Sequence, residues 1–128
     1  MAIKVLLADD EEGMLEIMTR KVAAQGYEVV TAKDGQEAWD KIVSENPDVI
    51  LLDITMPNID GYEVLKKIRS DQRSAALLVV AVTANAMRGD REKILSAGFN
   101  GYVSKPISVA SVRKEVDRLL LKVISSAA

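Results

Sequence analysis

Apolar runs of strand length alternate with segments of helical period along the whole chain, and no other feature narrows the possible folds as far. The runs are Ile3 to Ala8, Glu28 to Ala32, Val49 to Leu52, Leu77 to Thr83 and Gly101 to Ser104. Several are β-branched and apolar without alternation, the pattern of strands buried on both faces of a parallel sheet. Between them, Leu15, Met18 and Val22 make a helical stripe that stops at Gly26. Ala38, Trp39, Ile42 and Val43 make another, opened by Asp34 with Glu37 three residues on and closed before Asn46-Pro47. Asp60 with Glu63 repeats that opening ahead of Val64, Leu65 and Ile68. Arg88 to Ala97 reads as a shorter helix, with Ile94 and Leu95 apolar and Gly98 behind it. The last helix has the clearest period: Val109, Val112, Val116, Leu119, Leu120 and Val123. Strand then helix, five times over, predicts an α/β fold, a doubly wound (βα)5 parallel sheet with helices on both faces.

What the chain lacks limits its chemistry. Among 128 residues there is no cysteine and no histidine. Disulfides, thiol catalysis and thiolate metal sites are excluded, as are the usual zinc ligand, the commonest general base and any phosphohistidine of its own. The 48% of hydrophobic residues suffice for one core. Seventeen basic against nineteen acidic side chains leave a formal charge of −2 without a basic stripe, so neither nucleic acid nor membrane is expected as a partner. The first residues are too short an apolar run for a signal peptide, and nothing approaches the roughly 18 residues of a membrane span. A cytoplasmic location is the expectation.

The polar residues that remain are not scattered. Val5 to Ala8 ends abruptly in Asp9, Asp10, Glu11 and Glu12; Asp53 ends the third strand, Thr83 the fourth, and Lys105 follows the fifth. In a parallel sheet all strand carboxyl ends share one edge, where ligands bind in the crevice at which strand order reverses. Each residue alone has an ordinary reading as a helix-start charge, a turn residue, a strand residue or a solvated lysine. Those readings do not predict that Asp9, Asp10, Asp53, Thr83 and Lys105 all share an edge. Crowded carboxylates repel unless a cation sits among them, and all-oxygen donors select a hard ion such as magnesium. Lysine serves as a point-charge phosphate binder, and a carboxylate can attack phosphorus to give an aspartyl phosphate. Asp53, ending a central strand, is the expected nucleophile, with catalysis resting on positioning and charge neutralisation.

The set Asp9-Asp10, "LLDITMPNIDG", "AVTANAM" and "VSKPIS", in that order, resembles the receiver domain of two-component response regulators, of the CheY-like chemotaxis-regulator type. The match runs from Ile3 to about Ile124, implying a receiver domain over residues 1–124 and a short tail over 125–128. It also implies the flavodoxin-like strand order 2-1-3-4-5. By this resemblance Asp9 and Asp10 bind Mg2+, with Asp10 a direct ligand. Asp53 is the phosphoacceptor and second carboxylate ligand, and the Thr55 backbone carbonyl completes the protein ligands. Thr83 and Lys105 contact the phosphoryl oxygens, the Lys105-Pro106 bond is cis, and Tyr102 is the aromatic switch residue linked to Thr83. The implied donor is a histidine kinase or histidine phosphotransfer protein, and the downstream partner meets the face formed by the fourth helix, fifth strand and fifth helix. Helix and loop residues "VTANAMRGDREKILSAG" are more similar to receivers of cell-cycle regulators and hybrid kinases. Two positions depart from the chemotaxis pattern: Thr55 stands for an asparagine and Asn85 for a glutamate, both where side chains tune the access of hydrolytic water. Only Ser125 to Ala128 follow the last helix; if Met1 and Ala128 are native ends rather than those of an excised receiver, signal is expected to leave by protein contact.

Two rivals share parts of this pattern. A flavodoxin-like FMN carrier needs a hydroxyl- and glycine-rich phosphate loop after the first strand, where Asp9 to Glu12 would repel phosphate. A magnesium-dependent aspartate phosphatase carries a second acid two residues after a nucleophile that follows the first strand, a spacing met by Asp9 and Glu11.

Overall fold

The computed structural model of the chain describes residues 3–56, 59–84, 88–105 and 107–127, with 88–89 and 121–127 described by backbone alone. The elements run β1 (Lys4–Ala8), α1 (Glu12–Ala23), β2 (Glu28–Ala32), α2 (Gly35–Glu45), β3 (Val49–Asp53), α3 (Gly61–Ser70), β4 (Leu78–Thr83), α4 (Arg88–Ala97), β5 (Gly101–Ser104) and α5 (Val109–Ala127). The alternation expected from the sequence is therefore the observed one. Ends differ by one residue: Ile3 and Leu77 lie outside β1 and β4, and Asp53 lies inside β3, where it pairs with Val82. The last helix runs to Ala127, past position 124.

All five strands are parallel, in the order β2-β1-β3-β4-β5. The chain leaves β1 in one direction to β2 and in the other to β3, so the reversal that opens a crevice lies between the carboxyl ends of β1 and β3. Every residue of β3 is buried, and β1 and β4 are buried except at their first residues, as continuous apolar runs require. The edge strand β2 is half exposed.

Alternate strand residues face opposite helix layers. Val5, Leu7, Leu51 and Val82 pack with α1 and α5 through Leu15, Met18, Val112 and Val116. Leu6, Ile50, Leu52 and Ala81 pack with α2, α3 and α4 through Ile42, Leu65, Ile68 and Ile94. Each fully buried Val, Leu or Ile side chain among these contributes about 1.5–3 kcal/mol relative to exposure. The apolar stripes are narrower than the sequence suggests, since Val43 and Leu95 are about half exposed (46% and 50%) and so belong to solvent rather than to the core.

Two helices begin as their sequence predicts. Asp34 accepts from Glu37 N–H at 2.8 Å, and Asp60 from Glu63 N–H at 2.9 Å, each satisfying one orphan donor of the first turn. The second helix ends with Asn46 in the left-handed region (φ 49°), ahead of Pro47. The first ends at Ala23, and Gly26 takes its positive φ of 92° in the turn that follows.

Candidate functional site

The sheet brings the polar residues singled out in the sequence to its carboxyl edge by backbone bonding. Asp9 is the residue after β1, and its N–H donates to Ala32 O at 3.1 Å. Beyond Asp53, Ile54 N–H donates to Val82 O at 3.2 Å, which carries the β3–β4 pairing one residue further. Lys105 N–H donates to Thr83 O at 2.8 Å and so ties the ends of β4 and β5. The register fixed by these bonds sets which side chains share the crevice.

Four consecutive carboxylates at positions 9–12 divide sharply. Asp9 is fully buried, whereas Asp10, Glu11 and Glu12 are exposed. Asp9 Oδ1 accepts from Glu11 N–H at 2.9 Å, a local turn bond that leads into α1. Its Oδ2 stands 3.3 Å from Lys105 Nζ, an ion-pair distance without the alignment of a hydrogen bond. That buried oxygen has no hydrogen-bond partner among the described residues. Asp53, also buried, accepts from Thr55 N–H at 3.0 Å on Oδ1 and from Lys105 Nζ at 2.8 Å on Oδ2.

Burial pushes the Asp53 carboxyl above its ordinary value, and the negative charge of Asp9 adds to this; the Lys105 and Thr55 hydrogen bonds oppose it without cancelling it. For Lys105 the balance runs the other way. Burial disfavours its ammonium, but the hydrogen bond to Asp53 and the charges of Asp53 and Asp9 outweigh that and raise its pKa. Lys105 thus links Asp9 and Asp53 electrostatically.

One carboxylate oxygen each from Asp9, Asp10 and Asp53 lies within 4.8 Å of the other two. Among the described residues, three carboxylates against the Lys105 ammonium leave two negative charges uncompensated in the cluster, the charge that one divalent cation neutralises. Asp9 Oδ2, buried and within ion-pair range of Lys105 but without a hydrogen bond, leaves acceptor capacity that a ligand here would use. Donors that are all oxygen suit a hard ion, and magnesium is held through one or two carboxylates while keeping positions for water and phosphate oxygens. The triad is thus a divalent-metal site consistent with Mg2+, whose bound ion supplies Lewis-acid stabilisation of phosphoryl oxygens.

The other expected positions fall around this cluster. Thr55 is exposed at its mouth, and Thr83 is buried at the end of β4. Tyr102 pairs with Ala81 and packs, half buried, on the same layer as Ala81, so it shares a sheet face with Thr83 two residues further along. The Arg91 guanidinium lies over the Tyr102 ring at 5.8 Å, within cation–π range. Nothing in the sequence announced that contact, because α4 reads only as a polar helix. Asn85 and Pro106 lie outside the described residues, and with them the Lys105-Pro106 bond. Among the described residues no helix is long and apolar enough to cross a membrane.

Comparison with known proteins agrees with this geometry. A family model described as the response regulator receiver domain matches residues 5–117. The polar-differentiation response regulator DivK of Brucella ovis is 39% identical over 109 residues, 85% of this chain and 89% of that protein. Among solved structures, the receiver domain of the sensor histidine kinase PA1611 from Pseudomonas aeruginosa, with a magnesium ion coordinated in its active-site cleft, superposes with a TM-score of 0.84. Its identity is 31%, over 92% of this chain and 97% of the other. The chemotaxis response regulator CheY4 of Vibrio cholerae gives a TM-score of 0.85 at 28% identity, over 92% of this chain and 98% of its own.

Proposed function

This chain belongs to the response regulator receiver domain family, and from that premise we propose that Asp53 accepts a phosphoryl group from a phosphohistidine on a histidine kinase or histidine phosphotransfer protein. Such a chain is a phosphoacceptor signalling protein rather than an enzyme with a separate substrate. The observation that carries the reading is the triad of Asp9, Asp10 and Asp53 with Lys105 joining two of its members. In the transfer, an Asp53 carboxylate oxygen forms the new O–P bond while the P–N bond to the donor imidazole breaks. The imidazole leaves with that electron pair and takes up a proton.

The Lys105 ammonium and the Thr55 N–H favour the ionised form of Asp53 against the burial that raises its pKa, and as a carboxylate it attacks without a base. Lys105 is placed to follow the charge as it moves from carboxylate to phosphoryl oxygens, and Thr83 offers a hydroxyl to the same oxygens. Asp9, Asp10 and Asp53 would hold the magnesium ion, and the Thr55 carbonyl would complete the protein ligands. The exposed Thr55 side chain, with Asn85, sets how readily water reaches the phosphoryl group.

Readout follows from the sheet face that Thr83 and Tyr102 share. As the Thr83 hydroxyl moves towards the phosphoryl group, Tyr102 turns inward, which removes a phenol from the surface of α4, β5 and α5. A partner on that face then favours one of two pre-existing arrangements. Two measurements test this. Incubation with ATP alone should label nothing, since the chain has no histidine to phosphorylate first, and label should appear only with a histidine-bearing donor. Beryllofluoride with magnesium should shift Tyr102 ring and α4 amide resonances, an effect that Thr83→Ala weakens; shifts confined to Asp9, Asp53 and their loops would refute the route.

A further inference from the structure

Helices α2 and α3 open with the same four-residue pattern, Asp34-Gly35-Gln36-Glu37 and Asp60-Gly61-Tyr62-Glu63. The aspartates are caps and the glutamates supply the capped N–H groups, so both are accounted for within their own helices. The glycines are not. Neither has a positive φ, which among the described glycines only Gly26 and Gly98 have, so backbone conformation does not require glycine at either position. Space does. A Cβ on Gly61 would lie 2.6 Å from Asp53 O and 2.7 Å from Ile54 Cα, and one on Gly35 would overlap the Ile59 carbonyl oxygen and come within 2.8 Å of Ile59 Cβ. Most of these opposing atoms are backbone, which cannot rotate aside as the end of a long side chain can.

Both contacts fall on the segment that leaves Asp53. Gly61 meets its start, where Gly61 N–H also donates to Ile54 O at 2.8 Å; Gly35 meets Ile59 near its end. Within it lies Thr55, whose N–H holds Asp53 Oδ1. We propose that Gly35 and Gly61 are positioning residues for phosphoryl acceptance: two side-chain-free helix starts hold the chain after Asp53 at Ile54 and at Ile59, and so fix its carboxylate and the Thr55 N–H. The inference rests on Asp53 being the acceptor. Gly35 is the informative member, because it belongs to α2 and the three atoms nearest its would-be Cβ all belong to Ile59. Its effect on the reaction must pass through Ile59.

Gly13 provides the control, being also helical but with nothing within 4 Å of its would-be Cβ. In Gly35→Ala the added methyl should push the Ile59 end outward and leave a folded chain. The experiment measures phosphorylation by phosphoramidate with magnesium, cooperative urea unfolding, and the Thr55 amide resonance for wild type, Gly13→Ala, Gly35→Ala and Gly61→Ala. Gly35→Ala should fold, shift the Thr55 amide and lose about tenfold or more in phosphorylation rate, since small misplacements of a reacting group carry losses of that order. Gly61→Ala should lose at least as much, and Gly13→Ala nothing. If wild type is phosphorylated and Gly35→Ala matches its rate within about twofold, or if Gly35→Ala does not fold while Gly13→Ala does, the clamp is refuted and the Asp53 reading stands. A wild type that takes no phosphoryl group overturns both.

Discussion

Replacing Lys105 by methionine keeps a long apolar stem and removes the cation that pairs with Asp9 and Asp53. The lysine donates to Asp53 Oδ2 at 2.8 Å and stands 3.3 Å from Asp9 Oδ2, with its side chain 23% exposed against 5% and 1% for the two carboxylates. A hydrogen bond between charged groups contributes about 1.5–3 kcal/mol, and stranding a buried partner costs about 3–5 kcal/mol. Water reaches the lysine, and its contact with Asp9 is not a hydrogen bond, so the lower values apply: about 2–3 kcal/mol without metal. For a domain of this length that corresponds to a fall in Tm of roughly 6–12 °C. Magnesium should then recover more in the variant than in wild type, because it neutralises carboxylates that no longer have an ammonium to share. Urea melts followed by circular dichroism, with magnesium and with a chelator, read both quantities. A metal-free variant as stable as wild type, gaining no more from magnesium, would refute the assignment of Lys105 as counter-ion.

Arg69 should carry stability without chemistry. Its guanidinium donates to Gly98 O, Leu77 O, Ala75 O and Asn100 Oδ1 at 2.7–3.2 Å, tying the end of α3 to the starts of β4 and β5. Arg69→Met should cost about 2–3 kcal/mol in urea melts, counting only the acceptors shielded from water, while phosphorylation by a small-molecule donor stays at the wild-type rate. The Asp71 carboxyl, held by Arg73 through side chain and backbone, should titrate at about 2 by NMR and rise in Arg73→Ala. Its depressed pKa means that the contact's contribution is present above the ordinary carboxylate range and fades as pH falls towards 2.

The sheet was legible because β1, β3 and β4 are buried on both faces and therefore read as uninterrupted apolar runs, and the capped starts of α2 and α3 because their bonds are local. The site was legible because the carboxyl ends of parallel strands share an edge, which turns unlinked positions into one cluster. What stayed hidden depends on three-dimensional neighbours. Asp9 and Asp10 are the same residue type side by side, yet one is fully buried and the other exposed, since only Asp9 continues the β1 direction into the crevice. The apolar Val43 and Leu95 fit their helical periods but reach past the edge of the core. Arg69 satisfies itself on carbonyls and an amide, groups that leave no mark in a sequence, and the glycines of α2 and α3 are required by space rather than by φ.

On the proposed function, the cluster of Asp9, Asp10, Asp53 and Lys105 serves to put a phosphoryl group on Asp53. Intact-protein mass spectrometry after incubation with acetyl phosphate and magnesium tests it most directly. Wild type should gain the mass of one phosphoryl group, lose it on treatment with hydroxylamine as an acyl phosphate does, and gain none when magnesium is chelated; Asp53→Asn should gain none under any of these conditions. Undiminished labelling of Asp53→Asn, or labelling of wild type that ignores magnesium, would contradict the account.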